Sequence, residues 1–314
     1  MFLTRQVLQG ILGVPAAAGA PSFNFAFFAG GTTGSGDAGV TANTRTYGLG
    51  DAAWASEDAL STAVFNAAGF GDKVSGWIVG GYTGATNATQ NREYTNADGS
   101  SMTSAAASTT SVTMQNGWRG GATTSTGYVF GGTFVSTVRK YSISGDSWSA
   151  GTALGSENGW MAEHNNATYA LISGGYDNSP AANLDRNDRY TFSDDTRAAQ
   201  TTLGTARREL TATGDQSFSY LYGGTTAAVV NTIEKISLTD GTQSSTFTNS
   251  VANRFAEAAG SDTKGVFAGG QDGLPGSTIT TTREVVYADG DDTAGTALPT
   301  ATAQMAAFSG VQVS

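Results

Sequence analysis

A short apolar run closing on Gly-Gly recurs six times along the chain. Several of the markers that accompany it keep constant spacing while one connection varies from unit to unit, and each end of the chain carries the complementary part of one unit. Together these observations predict an all-β fold: a six-bladed β-propeller of four-stranded units, closed by pairing the N-terminal strand with the C-terminal one.

The runs are Phe27-Phe28-Ala29-Gly30-Gly31, Trp77-Ile78-Val79-Gly80-Gly81, Tyr128-Val129-Phe130-Gly131-Gly132, Leu171-Ile172-Ser173-Gly174-Gly175, Leu221-Tyr222-Gly223-Gly224 and Val266-Phe267-Ala268-Gly269-Gly270. Their second glycines stand 50, 51, 43, 49 and 46 residues apart. Aromatic and β-branched residues suit a buried strand, and paired glycines suit a point where the backbone turns or another strand comes close. These runs are read as the second strand of each unit.

The third strand carries the next marker: Tyr47, Tyr94, Tyr141, Tyr190, Ile236 or Tyr287, as in Thr137-Val138-Arg139-Lys140-Tyr141. An acidic or glycine turn follows at Gly50-Asp51, Asp98-Gly99, Gly145-Asp146, Asp194-Asp195, Asp240-Gly241 and Asp289-Gly290, the residue types a hairpin turn with positive φ selects. The fourth strand comes next, and Trp54 and Trp148 each stand seven residues beyond their tyrosine. Leu60, Leu154, Leu203 and Leu298 then open the following unit, whose first strand leads into the next Gly-Gly run.

From Tyr47 to Leu60, Tyr141 to Leu154 and Tyr190 to Leu203 the interval is 13 residues, and from those leucines to the next second glycine it is 21. From the second glycine to the third-strand marker it is 16, 13, 9, 15, 12 and 17. Fixed spacing marks packed strands, in which an insertion moves side chains to the wrong face, whereas variable spacing marks a loop. The segment Phe23–Phe28 reads as a second strand without its predecessor, and Ala306–Val313 as a first strand without its Gly-Gly partner. Joined, they complete a blade and leave no long open edge. A right-handed β-solenoid, the alternative, needs shorter repeats and does not split a unit between the termini. The expected division is residues 1–22 as an apolar arm and 23–314 as the propeller.

Composition narrows the chemistry. Among 314 residues there is no Cys and one histidine, His164, which excludes disulfides, cysteine zinc sites and multi-histidine metal centres. Sixteen basic against 26 acidic residues give a net charge of −10, and the 4 Lys and 12 Arg are scattered, so nucleic acid is not an expected partner. No apolar run reaches the roughly 20 residues of a membrane span.

The double glycine, the Tyr and the Trp seven residues on resemble the kelch repeat. Tyr128 to Trp148 fit that pattern well, Arg208 and Arg254 stand where kelch units often place Arg, and the resemblance covers residues 23–314. Four units lack the Trp, and Ile236 replaces a Tyr. The resemblance implies the fold and little about activity, because propellers host many unrelated functions. Galactose-oxidase-like enzymes of the kelch type need two His, two Tyr and a Cys for copper, and this chain has one His and no Cys. Sialidases carry Ser-x-Asp-x-Gly-x-x-Trp boxes, and the nearest segment here, Ser142–Trp148, does not follow that order.

His164, in a first strand near the axis, is read as a structural histidine rather than a catalytic base. The acidic groups Asp289/Asp291/Asp292 and Asp194/Asp195 fall where each unit has its turn, so turn formation outweighs calcium binding. Arg207-Arg208 and Asn253-Arg254 occupy equivalent repeat positions beside the axis, as structural residues or as a polar channel mouth. No catalytic residue, metal or cofactor is expected.

The variable loops join second to third strands, so all emerge on one face. The longest, 32–43, 82–91, 176–187 and 271–281, offer Tyr82, Tyr176, Asp177, Asn178, Asp185, Gln271 and Asp272 as candidate ligand-binding residues. In the arm, Phe2, Leu3, Val7, Leu8, Ile11 and Leu12 include apolar positions at helical spacing, suited to docking on another subunit. The Ala-rich stretch 16–20 supports a second reading, a secretory signal.

In build and composition the chain resembles the structural and host-recognition proteins of tailed bacteriophages. That resemblance implies a non-enzymatic virion component (tail, fibre or surface decoration). Its arm joins other virion proteins and its propeller meets a host-surface glycan or protein. A secreted bacterial carbohydrate-binding or surface propeller, with residues 1–20 as signal peptide, is the alternative. A cytosolic kelch interaction module is the third reading.

Overall fold

In the computed structural model the described residues are 25–34, 38–71, 75–95, 103–107 and 118–309. They form six four-stranded antiparallel sheets and one two-stranded hairpin, and no helix among them is long and apolar enough to cross a membrane. The arm residues Phe2, Leu3, Val7, Leu8, Ile11 and Leu12 lie outside the described residues.

Blade 1 joins the two ends of the chain: β1 (Phe25–Ala29), β2 (Thr44–Gly48) and β3 (Trp54–Ser56) are completed by β26 (Ala306–Ser309), in the order β26-β1-β2-β3. Blade 2 is β4 (Ala68–Gly71), β5 (Ser75–Val79), β6 (Asn91–Thr95) and β7 (Thr103–Ala107). Blade 3 is β8 (Trp118–Ala122), β9 (Thr126–Gly131), β10 (Val138–Ser142) and β11 (Ser147–Ala150). Blade 4 comprises β12 (Ala162–Asn165), β13 (Tyr169–Ser173), β16 (Asn187–Thr191) and β17 (Thr196–Ala199). The hairpin β14 (Tyr176–Asn178) and β15 (Ala181–Asn183) is inserted between its second and third strands. Blade 5 is β18 (Thr211–Gly214), β19 (Phe218–Tyr222), β20 (Thr232–Ser237) and β21 (Gln243–Thr248). Blade 6 is β22 (Glu257–Gly260), β23 (Lys264–Ala268), β24 (Thr282–Val286) and β25 (Asp292–Ala294).

Successive side chains on a strand point to opposite faces, so a strand buried on both faces must be apolar at consecutive positions. In β1, Phe25, Phe27 and Ala29 pack with blade 2, whereas Ala26 and Phe28 pack with blade 6. Six such apolar clusters fill the six junctions between neighbouring blades, so the ring is closed by packing as well as by pairing. At the seam β26 pairs with β1 in register Phe27↔Phe308, and those two rings stack with centroids 4.6 Å apart.

The repeat markers now have physical roles. Tyr47 faces Trp54 and Tyr141 faces Trp148 directly across the third and fourth strands, with ring centroids 4.9 and 5.0 Å apart. Tyr141 donates to Asp146 Oδ1 (2.7 Å) and Tyr190 to Asp195, so the tyrosine ties down the acidic turn that follows it. Asp146 and Asp195 take positive φ there. In the Gly-Gly pair at 269–270 both φ values are positive, and a Cβ on Gly269 would stand 2.0 Å from the Thr302 carbonyl oxygen, so no other residue fits. Gly270 N–H donates to that same Thr302 oxygen (2.8 Å), tying the second strand of blade 6 to the segment that enters blade 1.

Candidate functional site

The loops that join second to third strands and the segments that enter each first strand share one face of the ring. The other face carries the short turns between first and second and between third and fourth strands. On the loop face each of the five described entering segments places one residue with positive φ two positions before its first strand: Asn66, Trp160, Glu209, Phe255 and Gln304. Their backbones form an arc of hydrogen bonds round the axis. Asn66 N–H donates to Gln304 O (2.8 Å), Gln304 to Phe255 (3.0 Å), Phe255 to Glu209 (2.9 Å) and Glu209 to Trp160 (2.8 Å). Strain in a left-handed non-glycine residue persists only where surrounding structure over-determines it, and here each blade holds its neighbour's.

That arc assembles a mouth from blades 3 to 6. The Trp160 ring stands 5.5 Å from Phe134 and 5.7 Å from Tyr176, and all three are half-buried. Arg208 lies over the Tyr176 ring at 4.8 Å. Its Nε donates to Glu209 Oε1 (3.1 Å) and its Nη1 to Asn183 Oδ1 (2.7 Å). The second Glu209 oxygen accepts from Arg254 Nη1 (3.1 Å) and from the Thr225 hydroxyl (2.7 Å). The equivalent arginines of blades 5 and 6 therefore converge on one carboxylate.

The residues singled out in the sequence all fall on this face, at different radii and blades. Tyr176 belongs to the mouth. Tyr82, in blade 2, instead meets Phe65 edge-on at 5.5 Å. Asp177 and Asn178 are in the added hairpin, where Asp177 Oδ1 accepts from Ser179 N–H (2.8 Å) and Asn178 is exposed. Asp185 is exposed, and its carbonyl holds Leu203 N–H (2.7 Å). Gln271 is buried, at 2% exposure, and Asp272 is exposed with Oδ1 accepting from Ser277 N–H (3.0 Å). A polar hollow of about 480 Å³ lies beside the Tyr82 loop, between Ser61-Thr62 and Thr83–Arg92. Sequence reasoning left Phe134 and Trp160 out of the site. The available signal was that both are aromatic and flank a short connection, Phe134 just after a Gly-Gly and Trp160 just before a first strand.

The axis itself is narrow. The first strands pack round it in the order β26, β4, β8, β12, β18 and β22. Matched by register, one layer of them contributes Gly69, Gly120, Glu163, Ala212, Ala258 and Ala307, so five small residues and one carboxylate share the centre. A Cβ on Gly120 would stand 2.4 Å from Gly69 O, which shows how closely the backbones approach. A cavity of about 40 Å³ remains, enough for a water or two, and Arg119, Glu163 and Glu257 line it. Glu163 Oε1 is buried with no hydrogen-bond partner. Burial first, then the nearby Glu257, pushes the Glu163 carboxyl well above its ordinary pKa against the pull of Arg119. Burial raises Glu257 to about 6.

His164 is buried in β12, its Nε2 3.1 Å from the Asp215 carbonyl, and desolvation lowers its pKa to about 4. The acidic turns are occupied internally: Asp292 pairs with Arg283 (2.8 Å), Asp289 Oδ1 accepts from Asp291 N–H (3.0 Å) and Asp195 pairs with Lys140 (2.9 Å). Among the described residues no group of three or more His, Asp or Glu is arranged to hold a metal ion.

Fold and face together define a closed six-bladed β-propeller whose length-variable loops surround an aromatic and guanidinium mouth. No protein-family model matches the chain, and no curated protein matches it in sequence.

Proposed function

We propose that the protein is a non-enzymatic structural component of a tailed-bacteriophage particle, kelch-like in its repeat, whose propeller binds the host surface. The observation that carries this reading is the asymmetry of the two faces. The connections that vary most in length, those from second to third strands, all open on one of them, on a scaffold held by six packed junctions, and loops on a rigid scaffold are where binding function concentrates. The buried, carbonyl-bonded state of His164 also favours a binding role, since a general base must reach its substrate. Residues 1–22 supply the attachment to other virion proteins in this reading.

Replacing the Gly175–Tyr190 and Gly270–Tyr287 connections by the short Gly132–Tyr141 connection tests it. The grafted protein should keep its fold and lose host-cell binding; retained binding would place recognition elsewhere. Deleting residues 1–20 should leave a folded propeller that no longer enters particles.

The Ala-rich stretch 16–20 favours a second reading, a secreted bacterial carbohydrate-binding or surface propeller with residues 1–20 as its signal. Mass spectrometry of the native N-terminus separates the two, because a mature chain starting near Pro21 excludes the anchoring arm.

A further inference from the structure

We propose that the mouth formed by Trp160, Tyr176, Arg208 and Arg254 takes the terminal sugar of an acidic glycan, a pyranose carrying a carboxylate. The proposal rests on the host-binding reading and names the ligand class. Two guanidiniums share the single carboxylate of Glu209, so this cluster carries a net positive charge on a chain whose total is −10. The Nε of Arg254 is buried without a hydrogen-bond partner, so the pairing with Glu209 leaves donor capacity unused. Arginine's planar fork matches a carboxylate in a way that lysine does not.

The neighbouring aromatic rings supply the other half of sugar recognition. Trp160 and Tyr176 are half-buried and 5.7 Å apart, with Phe134 behind them. Such rings offer a large contact area at low entropic cost to the C–H face of a pyranose. Arg208 lies over Tyr176 and reaches Glu209, so it joins the apolar platform to the charged pair within one side chain. Of the acidic residues in the nearby loops, Asp177 and Asp272 each accept a backbone N–H of their own loop, and Asp185 is exposed to solvent.

The mouth is also built rigidly. Glu209 N–H donates to Trp160 O (2.8 Å) and Phe255 N–H to Glu209 O (2.9 Å), so Trp160, Arg208 and Arg254 are fixed relative to one another by backbone bonds between blades. Preorganisation of this kind lowers the ordering cost of binding.

The test compares, on the full chain, oligosaccharides ending in a hexuronic or sialic acid with the same oligosaccharides after reduction of the carboxyl to an alcohol. Calorimetry should show binding of the acidic forms, at least tenfold weaker binding of the reduced forms, and affinity that falls as salt rises. Arg254→Gln should weaken the acidic ligands about tenfold, and Trp160→Ala should weaken both sets, with melting curves confirming that each variant is folded. Equal affinity for acidic and reduced ligands overturns the proposal while leaving host binding in place. Failure to bind any of them, on a chain that still binds host cells, overturns it too. Absence of host-cell binding by the unaltered chain would instead sink the host-binding reading itself.

Discussion

Arg119 and Glu257 face each other across the propeller axis. The guanidinium comes from blade 3 and the carboxylate, 3.8 Å away, from blade 6, the opposite member of the ring. Glu163 of blade 4 adds a second carboxylate to the same cavity. One buried cation thus serves two buried acids, an arrangement that favours keeping a proton on one of them.

Stability should respond to this proton. A carboxyl whose pKa is higher in the folded than in the unfolded state contributes fully below about 4.5, and its contribution falls as pH rises towards the folded value. For Glu257, raised to about 6, the loss is about 2 kcal/mol, and for Glu163 it extends to higher pH. Glu163→Gln removes the ionisation while keeping the shape. Its melting temperature relative to the unaltered protein should therefore climb between pH 5 and pH 8. A difference that does not change with pH would contradict the axial proton.

His164 acts with the opposite sign. Its folded pKa, about 4, lies below the ordinary 6.5, so the unfolded chain takes up the proton first and this residue withdraws stability as pH falls below 6.5. Because the chain has one histidine, its ring protons give a single titration in an NMR spectrum. The chemical shift should stay that of neutral imidazole down to about pH 5. A midpoint near 6.5 would mean that the ring is solvated.

The glycine pairs should be intolerant of any side chain. Gly269→Ala puts a Cβ against the Thr302 carbonyl at a φ of +65° and is expected to cost about 3 kcal/mol in denaturant unfolding. Gly204→Ala has only the Gln243 side chain nearby, at 3.2 Å, and should change stability by less than about 0.5 kcal/mol. Similar effects at both sites would remove close approach as the reason for the repeat's glycines.

Closure should depend on the seam. Phe308 is 5% exposed and stacks on Phe27, so Phe308→Ala is expected to cost about 3 to 5 kcal/mol, as for other buried aromatics. Because it loosens the strand that shuts the ring, hydrogen exchange in β1 and β4 should accelerate more than in β13. Uniform acceleration would show that the seam is no weaker than the other junctions.

Much of the propeller was legible from residues alone. The 13- and 21-residue intervals recur because a strand pair such as Tyr141–Trp148 must stay in register, and any insertion turns its side chains to the wrong face. The loop interval varies most, from 9 to 17 residues, and in blade 4 it holds a hairpin of its own. The arginine positions 208 and 254 were visible as equivalents, but their meeting at Glu209 was not, nor was the partnership of Phe134 with Trp160 and Tyr176.

Blade number, strand order and the splitting of one blade between the chain ends are local, repeated properties, and a single sequence displays them as spacing. The contents of the mouth and of the axis are different in kind. Arg119, Glu163 and Glu257 sit in repeat positions that other blades fill with small residues or threonine, and they come from three different blades. A repeat states where each blade's first strand goes but not which unlike side chains it will bring together. The ring decides that, because closing it carries distant segments to a common axis and excludes the water that would otherwise keep their charges apart.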